Sequence, residues 1–258
     1  LTRSSAASDV YKRQFLDWFT CNNLPKINRI NLTYCLTTSG TVRSEYTIVR
    51  KSENEFYLIS AGALTDYDKD YLIKKAQDKE KEFGYIEIQD VTSQFGTFAI
   101  AGPKSKELLI SLTNSENPEQ LFSNENFPWL SSKEIEINMI PTLAIRVAYT
   151  GELGWELHYP VEFQNKLLDL LLLSGKNFDL KLVGARAQNW LRQEKSYRAF
   201  GNELGRDACL VEAGLEKFIN FNKEFLGKDA LQKRNIKSKC VTLLLSLIHI
   251  SEPTRPID

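Results

Sequence analysis

The run Tyr-Thr-Gly-Glu-Leu-Gly-Trp-Glu, residues 149–156, decides how this 258-residue chain is interpreted. Gly151 and Gly154 stand between predicted strands and permit a tight turn whose backbone can approach a ligand closely. Tyr149 at one end and Glu156 at the other can clamp a flat heterocycle, because a carboxylate accepts two N–H bonds at once. On spacing alone, an ordinary glycine-containing hairpin with a solvent-facing Glu is the commoner arrangement.

Outward from this run, short strands joined by turns and interrupted by single helices predict an α+β fold with antiparallel sheets and flanking helices. The strands do not alternate regularly with helices, so a doubly wound parallel sheet is disfavoured. The predicted strands are 30–35, 42–50, 55–60, 85–91, 97–101, 135–139, 144–148 and 155–159. The predicted helices include 65–83, 104–109, 161–174, 184–197 and 225–233.

Composition excludes several classes of function. The 33 Lys and Arg balance the 33 Asp and Glu, so neither nucleic acid nor a membrane is expected as a partner. The four cysteines lack a paired or metal-type spacing, which indicates a reducing compartment without disulfides or zinc. Because there are only two histidines, no metal site is expected, and proton chemistry should depend on carboxylates, Tyr, Lys or a bound cofactor.

Both ends of the chain are unlike the rest. Residues 1–14 and 245–258 resemble translated sequencing-adapter sequence, and we expect both to be assembly artefacts. A basic amphipathic leader is the alternative for the first stretch. The domain itself is then expected to cover 15–240, and 241–244 to begin the strand of a truncated C-terminal barrel domain. On this interpretation the genuine chain is a fragment of a longer protein.

The pattern Y-T-G-E-x-G-x-E resembles the signature of the folate-binding aminomethyltransferase family. That family includes the glycine cleavage T-protein and the C-terminal halves of the dimethylglycine and sarcosine dehydrogenases. Other motifs follow in the family's order, at 23–25, 40–47, 101–103, 191–195, 212–215 and 225–231. The resemblance covers roughly 15–244 and implies the family's folate-binding fold, with the C-terminal barrel missing.

The resemblance also implies a role for four side chains. Tyr149 corresponds to the aromatic residue lining the pterin pocket, and Glu156 to the carboxylate that binds the amino-pyrimidine edge. Arg192 corresponds to the arginine that meets the glutamate tail of folate, where a guanidinium can pair with a carboxylate in bidentate fashion. Glu45 stands where the aminomethyltransferases carry an essential Asp, so it is the expected catalytic residue. It would accept a proton from N10 or stabilise developing positive charge.

Residues 194–203 are more similar to the dimethylglycine and sarcosine dehydrogenase group than to the T-protein. In that group an FAD-containing N-terminal half oxidises an N-methyl group to an iminium. The folate half then captures the carbon as 5,10-methylenetetrahydrofolate. The expected cofactor is therefore tetrahydrofolate, with FAD only in a missing N-terminal half, because no G-x-G-x-x-G fingerprint occurs here. The expected partners are folate and the iminium of an N-methyl amino acid.

Two alternatives remain within the resemblance. The first is a glycine cleavage aminomethyltransferase, whose partner would be a lipoyl carrier protein. The second is a non-catalytic regulator that keeps the fold, against which the retention of Glu45, Tyr149 and Glu156 argues. The resemblance implies the mitochondrial matrix, or the bacterial cytoplasm, as the compartment.

Overall fold

Two antiparallel sheets form the centre of the computed structural model, which describes residues 6–243, with side chains from residue 12 on. The first sheet has the order β1-β2-β3, with strands Ile30–Leu36, Val42–Arg50 and Phe56–Ile59. The second has the order β4-β7-β6-β5, with β4 Phe95–Ala101, β5 Ser132–Ile137, β6 Ile140–Ile145 and β7 Gly154–Pro160. Every pairing within them is antiparallel, so the predicted α+β class is confirmed.

Eight α-helices occur within residues 6–243. They are α1 Ala6–Phe19, α2 Thr65–Asp78, α3 Glu80–Phe83, α4 Ser105–Leu112, α5 Pro118–Leu121, α6 Gln164–Gly175, α7 Ala185–Glu194 and α8 Lys228–Lys233. Four short 3-10 turns occupy Gly62–Leu64, Val161–Phe163, Lys176–Phe178 and Glu216–Phe218. Within residues 6–243, no helix is long and apolar enough to cross a lipid bilayer.

Alternation along the strands places the two sheets face to face. In β2, Tyr46 and Ile48 pack against α1, whereas Val49 points the other way. Val49 meets Ile30 of β1 and Ile145 of β6 in a small apolar cluster between the sheets. The far face of the second sheet, centred on the fully buried Trp155, packs against α4 and α6. The layers therefore run helix, sheet, sheet, helix, and one face of each sheet borders the space between them.

The β1–β2 hairpin forms as the Ser39-Gly40 turn predicts. Gly40 has a positive φ of 77°, which a glycine adopts without steric cost. A Cβ at this position would also lie 2.5 Å from the backbone nitrogen of Leu231 in α8. The turn therefore needs glycine for two reasons, its own conformation and the close packing of α8.

The predicted strand 85–91 is wrong, because this segment pairs with no strand in the described part of the chain. Its alternation has another cause: Ile86 and Ile88 pack onto the apolar cluster around α1 from an irregular segment. The strands predicted at 135–139 and 144–148 lie earlier, because Asn138 and Met139 form the turn between β5 and β6 with positive φ angles of 46° and 65°.

The remaining differences are at the ends of elements. The helix predicted for 65–83 is interrupted at Lys79, and the helix predicted for 184–197 ends at Glu194. Residues 6–14, expected to belong to an artefact, lie within helix α1, Ala6–Phe19. The strand expected at 241–244 is irregular over 241–243, while Leu244, residues 1–5 and residues 245–258 lie outside the described part.

Candidate functional site

Glu45 lies on the face of β2 that borders the space between the sheets, directly opposite Tyr34 of β1. Its side chain is half-buried, and its Oε2 atom is buried without a hydrogen-bond partner among the described residues. Burial raises the pKa of Glu45, and a side-chain hydrogen bond with Tyr34 opposes the rise. A buried carboxylate oxygen without a donor is a place that a ligand N–H can fill.

Tyr34 is fully buried beside this carboxyl group, and sequence reasoning assigned it no role. Burial, followed by the charge of Glu45, raises the pKa of the Tyr34 hydroxyl well above its usual value. A signal was available, because Tyr34 and Glu45 are equally far from the predicted Ser39-Gly40 turn, and they pair across β1 and β2 although the connection spans 37–41.

Tyr149 follows β6 and is 37% exposed, which leaves part of its ring open to a ligand. Burial raises the pKa of its hydroxyl, the charge of Arg192 opposes the rise, and the charges of Glu45 and Glu203 add to it. Charges that act on one hydroxyl must lie near it. The Tyr149 hydroxyl therefore lies within electrostatic range of Glu45 and Arg192, two of the other predicted site residues.

Arg192 on α7 is only 1% exposed, and its guanidinium is directed to acceptors within the chain. Nε and Nη2 donate to Oδ1 of Asn189 at 2.9 and 2.6 Å. Nη1 donates to the Tyr197 carbonyl at 2.8 Å and to Oε2 of Glu203 at 2.6 Å. Four hydrogen bonds thus hold the guanidinium in the wall of the site.

Glu203 completes this buried ion pair and was also not assigned a role from the sequence. Burial acts to raise the pKa of its carboxyl group, but the hydrogen bonds from Arg192 and the Ala199 N–H bring it below its usual value. Its only sequence signal was its place in the 197–203 motif, which does not reveal that it faces Arg192.

The glycines of the 149–156 run serve the fold. Gly151 has a positive φ of 71°, and a Cβ there would lie 2.6 Å from Cγ of Lys195. Nζ of Lys195 also lies 3.2 Å from Oε1 of Glu152, which fastens the turn to the end of α7. A Cβ at Gly154 would lie 2.6 Å from the carbonyl oxygen of Ile100 in β4. Both close approaches are to the protein itself.

Glu156 lies on β7 between Ala99 of β4 and Ile145 of β6. Because it shares a sheet face with Ile145, it also borders the space between the sheets. Its Oε2 atom lies 3.7 Å from Nε2 of His158, and its side chain is 26% exposed. Among the contacts described for residues 12–243, none joins Glu156 to Glu45, Tyr149 or Arg192.

A cavity of about 1310 Å³ lies beside β3 and the irregular segment before β4. Its lining includes Tyr57, Thr97 and His158, and it does not include Glu45, Tyr149, Glu156 or Arg192. In the described part of the chain, no group of three or more His, Cys, Asp or Glu is arranged to hold a metal ion.

Comparison with known proteins identifies the family. The model of the GCVT N-terminal domain matches residues 11–223. Mitochondrial dimethylglycine dehydrogenase from Homo sapiens is 34% identical over 239 residues, which are 90% of this chain and 27% of that protein. Aminomethyltransferase from Thermoanaerobacter sp. (strain X514) is 32% identical over 223 residues, which are 85% of this chain and 58% of that protein.

Comparison of the fold with solved structures gives a consistent result. The crystal structure of glycine cleavage system aminomethyltransferase T from Bartonella henselae matches with a TM-score of 0.69 at 22% identity, covering 85% of this chain and 57% of that one. The chain thus spans about a quarter of the length of the dehydrogenase and just over half that of the transferases. The predicted resemblance and fold are confirmed, and the chain belongs to the GCVT N-terminal domain family, as an aminomethyltransferase-type domain related to both dimethylglycine dehydrogenase and the glycine cleavage T-protein.

Proposed function

We propose that this chain binds tetrahydrofolate and transfers a one-carbon unit to it, capturing an iminium carbon as 5,10-methylenetetrahydrofolate. The observation that carries the proposal is the Oε2 atom of Glu45, in a chain of the GCVT family. This atom is buried and has no hydrogen-bond partner among the described residues. An unpaired buried acceptor costs free energy unless a ligand donor reaches it. The half-exposed ring of Tyr149 nearby suits the flat pterin.

In this proposal, the carboxylates of Glu156 and Glu45 have different roles. Glu156 would accept the paired N–H groups of the amino-pyrimidine edge, which fixes the orientation of the ring. Glu45 would accept and hold a proton during the transfer. Its raised pKa suits that role, because a proton acceptor works best when its pKa is near the operating pH. Bound tetrahydrofolate supplies the nitrogens that take up the carbon.

The role proposed for Arg192 is to hold Glu203 and the start of the following segment in place beside Tyr149. A direct bond to the glutamate tail of folate is less well supported, because the side chain is 1% exposed and its donors are occupied. Arg192 is therefore proposed as a positioning residue.

The parent enzyme is proposed to be a dimethylglycine or sarcosine dehydrogenase of the mitochondrial matrix, with FAD in a separate half. The support is the 34% identity to the human enzyme across 90% of this chain and the motif at 194–203. A glycine cleavage aminomethyltransferase of the bacterial cytoplasm, with a lipoyl carrier protein as partner, is the second candidate. The 32% identity to a bacterial transferase supports it. Sequence upstream of this domain in the gene separates the two candidates, since only the first requires an FAD-binding segment.

Calorimetric titration of the full chain with tetrahydrofolate tests the function. We expect saturable binding by the wild type and a loss of affinity on the order of 100-fold in Glu156→Ala, because charge-assisted hydrogen bonds disappear. Glu136→Ala is the matched control, since Glu136 is an exposed residue of the same sheet. A wild-type chain that is folded by circular dichroism but binds no tetrahydrofolate would contradict the proposal.

A further inference from the structure

His158 is buried on β7, two residues after Glu156 and therefore on the same face of the sheet. Its Nδ1 atom lies 3.2 Å from the Thr97 hydroxyl and 3.3 Å from the Tyr57 hydroxyl. The Tyr57 ring packs edge-on against the imidazole, with centroids 5.6 Å apart and an interplanar angle of 90°. These contacts come from both sheets, so the ring is held from two sides.

The second ring nitrogen of His158, Nε2, lacks such a contact within the described part of the chain. Nε2 is buried and has no hydrogen-bond partner among the described residues, yet it lies 3.7 Å from Oε2 of Glu156. The ~3.0 Å of a good N–H···O bond is only about 0.7 Å shorter than this separation. Hydrogen bonds in a binding site are often long without ligand and tighten when the ligand binds.

The proton position on His158 follows from its neighbours. An ionised carboxylate can only accept, so Nε2 must carry the proton if it is to bond to Glu156. Nδ1 then has a lone pair, which can accept from the Thr97 or Tyr57 hydroxyl. The two hydroxyls thus select the tautomer that directs an N–H at Glu156.

We propose that His158 is a positioning residue for Glu156, whose carboxylate it orients by donating from Nε2 when a ligand is bound. The inference rests on the proposed function, because it assumes that Glu156 binds the ligand. In this proposal His158 orients the Glu156 carboxylate, and Thr97 and Tyr57 hold the His158 ring.

Two substitutions of His158 distinguish the loss of the Nε2 hydrogen-bond donor from the loss of the imidazole ring. Gln at position 158 extends far enough to place an amide N–H near the Nε2 position, whereas Asn reaches only the Nδ1 position. We expect His158→Gln to bind tetrahydrofolate within about threefold of the wild type and His158→Asn to lose about tenfold, the loss of one hydrogen bond to a charged group. Equal affinities in the two variants, high or low, would overturn the role of His158.

A second measurement determines the tautomer of His158 in the wild type, without comparing the affinities of variants. The full chain has two histidines, His158 and His249, so ¹⁵N-histidine NMR gives two sets of signals, which His158→Gln assigns. We expect the neutral ring of His158 to be the Nε2–H tautomer. An Nδ1–H tautomer in a chain that binds tetrahydrofolate would overturn this inference alone. Failure of the wild type to bind would instead overturn the proposed function.

Discussion

Replacing Arg192 by Met distinguishes an arginine that holds the fold from one that binds a ligand. The side chain is 1% exposed, and the change removes its ion pair with Glu203 together with three other hydrogen bonds. Removing one partner of a buried ion pair costs about 3–5 kcal/mol. Because the Glu203 side chain is 27% exposed and can be partly rehydrated, we expect the lower end, about 3 kcal/mol of unfolding free energy.

Urea unfolding followed by circular dichroism measures this loss. For a domain of this size, about 3 kcal/mol corresponds to a decrease in Tm of roughly 6–12 °C. Arg186→Met is the matched control on the same helix, because Arg186 is exposed, and it should change stability by no more than about 0.5 kcal/mol. Arg192→Lys should lose most of the same stability, since one ammonium group cannot reach acceptors on both sides of the guanidinium.

A specific result would refute this reasoning. If Arg192→Met unfolds at the same urea concentration as the wild type but no longer binds tetrahydrofolate, the arginine serves the ligand and not the fold. The combination with Glu203→Gln adds a check, because the double variant should lose less stability than the sum of the two single losses.

Two further predictions concern Glu45 and Gly40. Burial raises the pKa of Glu45 in the folded chain above its value in the unfolded chain. At a pH between these two values the folded chain binds more protons than the unfolded chain. The contribution of Glu45 to the stability of the fold therefore falls as the pH rises. Glu45→Gln should therefore raise Tm at pH 7, with a gain that disappears below pH ~4.3, and an equal gain at both pH values would contradict this. Gly40→Ala should cost about 3 kcal/mol of unfolding free energy, from the positive φ and the contact with Leu231. Gly201→Ala, with a φ of 91° and open space around its Cβ, should cost only about 1 kcal/mol in the same unfolding assay.

The sequence predicts best where the structure depends on local chemistry. The β1–β2 hairpin follows from a Ser-Gly turn and strict alternation, and the predicted bounds of β2, 42–50, agree with the structure. Residues 85–91 show the limit. Their alternation arises from packing on α1, and periodicity along one segment contains no information about whether a neighbouring strand is available. The Asn138-Met139 turn was missed because it lacks the usual glycine.

The candidate site shows the same division. Family resemblance selected Glu45, Tyr149 and Arg192, which are about 100 and 40 residues apart in the sequence, and the structure places the Tyr149 hydroxyl within electrostatic range of the other two. It could not predict that Arg192 is enclosed, because that depends on Asn189 and Glu203, whose positions are set by the fold and not by the motif. A motif alone does not distinguish an arginine that binds a ligand from one that stabilises the protein structure beside the ligand.

The two-sheet arrangement explains why the carboxylates differ. Glu45 and Glu156 both border the space between the sheets, whose apolar part is formed by Ile30, Val49 and Ile145. The Oε2 atom of Glu45 is buried, and burial raises the pKa of this carboxyl group, whereas the Glu156 side chain is 26% exposed and has His158 beside it. A low-dielectric position favours a carboxyl group that takes up a proton, and a partly solvated one favours a lasting anion. Under the proposed function, the same layer would provide Glu45 as the proton acceptor and Glu156 as the acceptor of the ligand N–H groups.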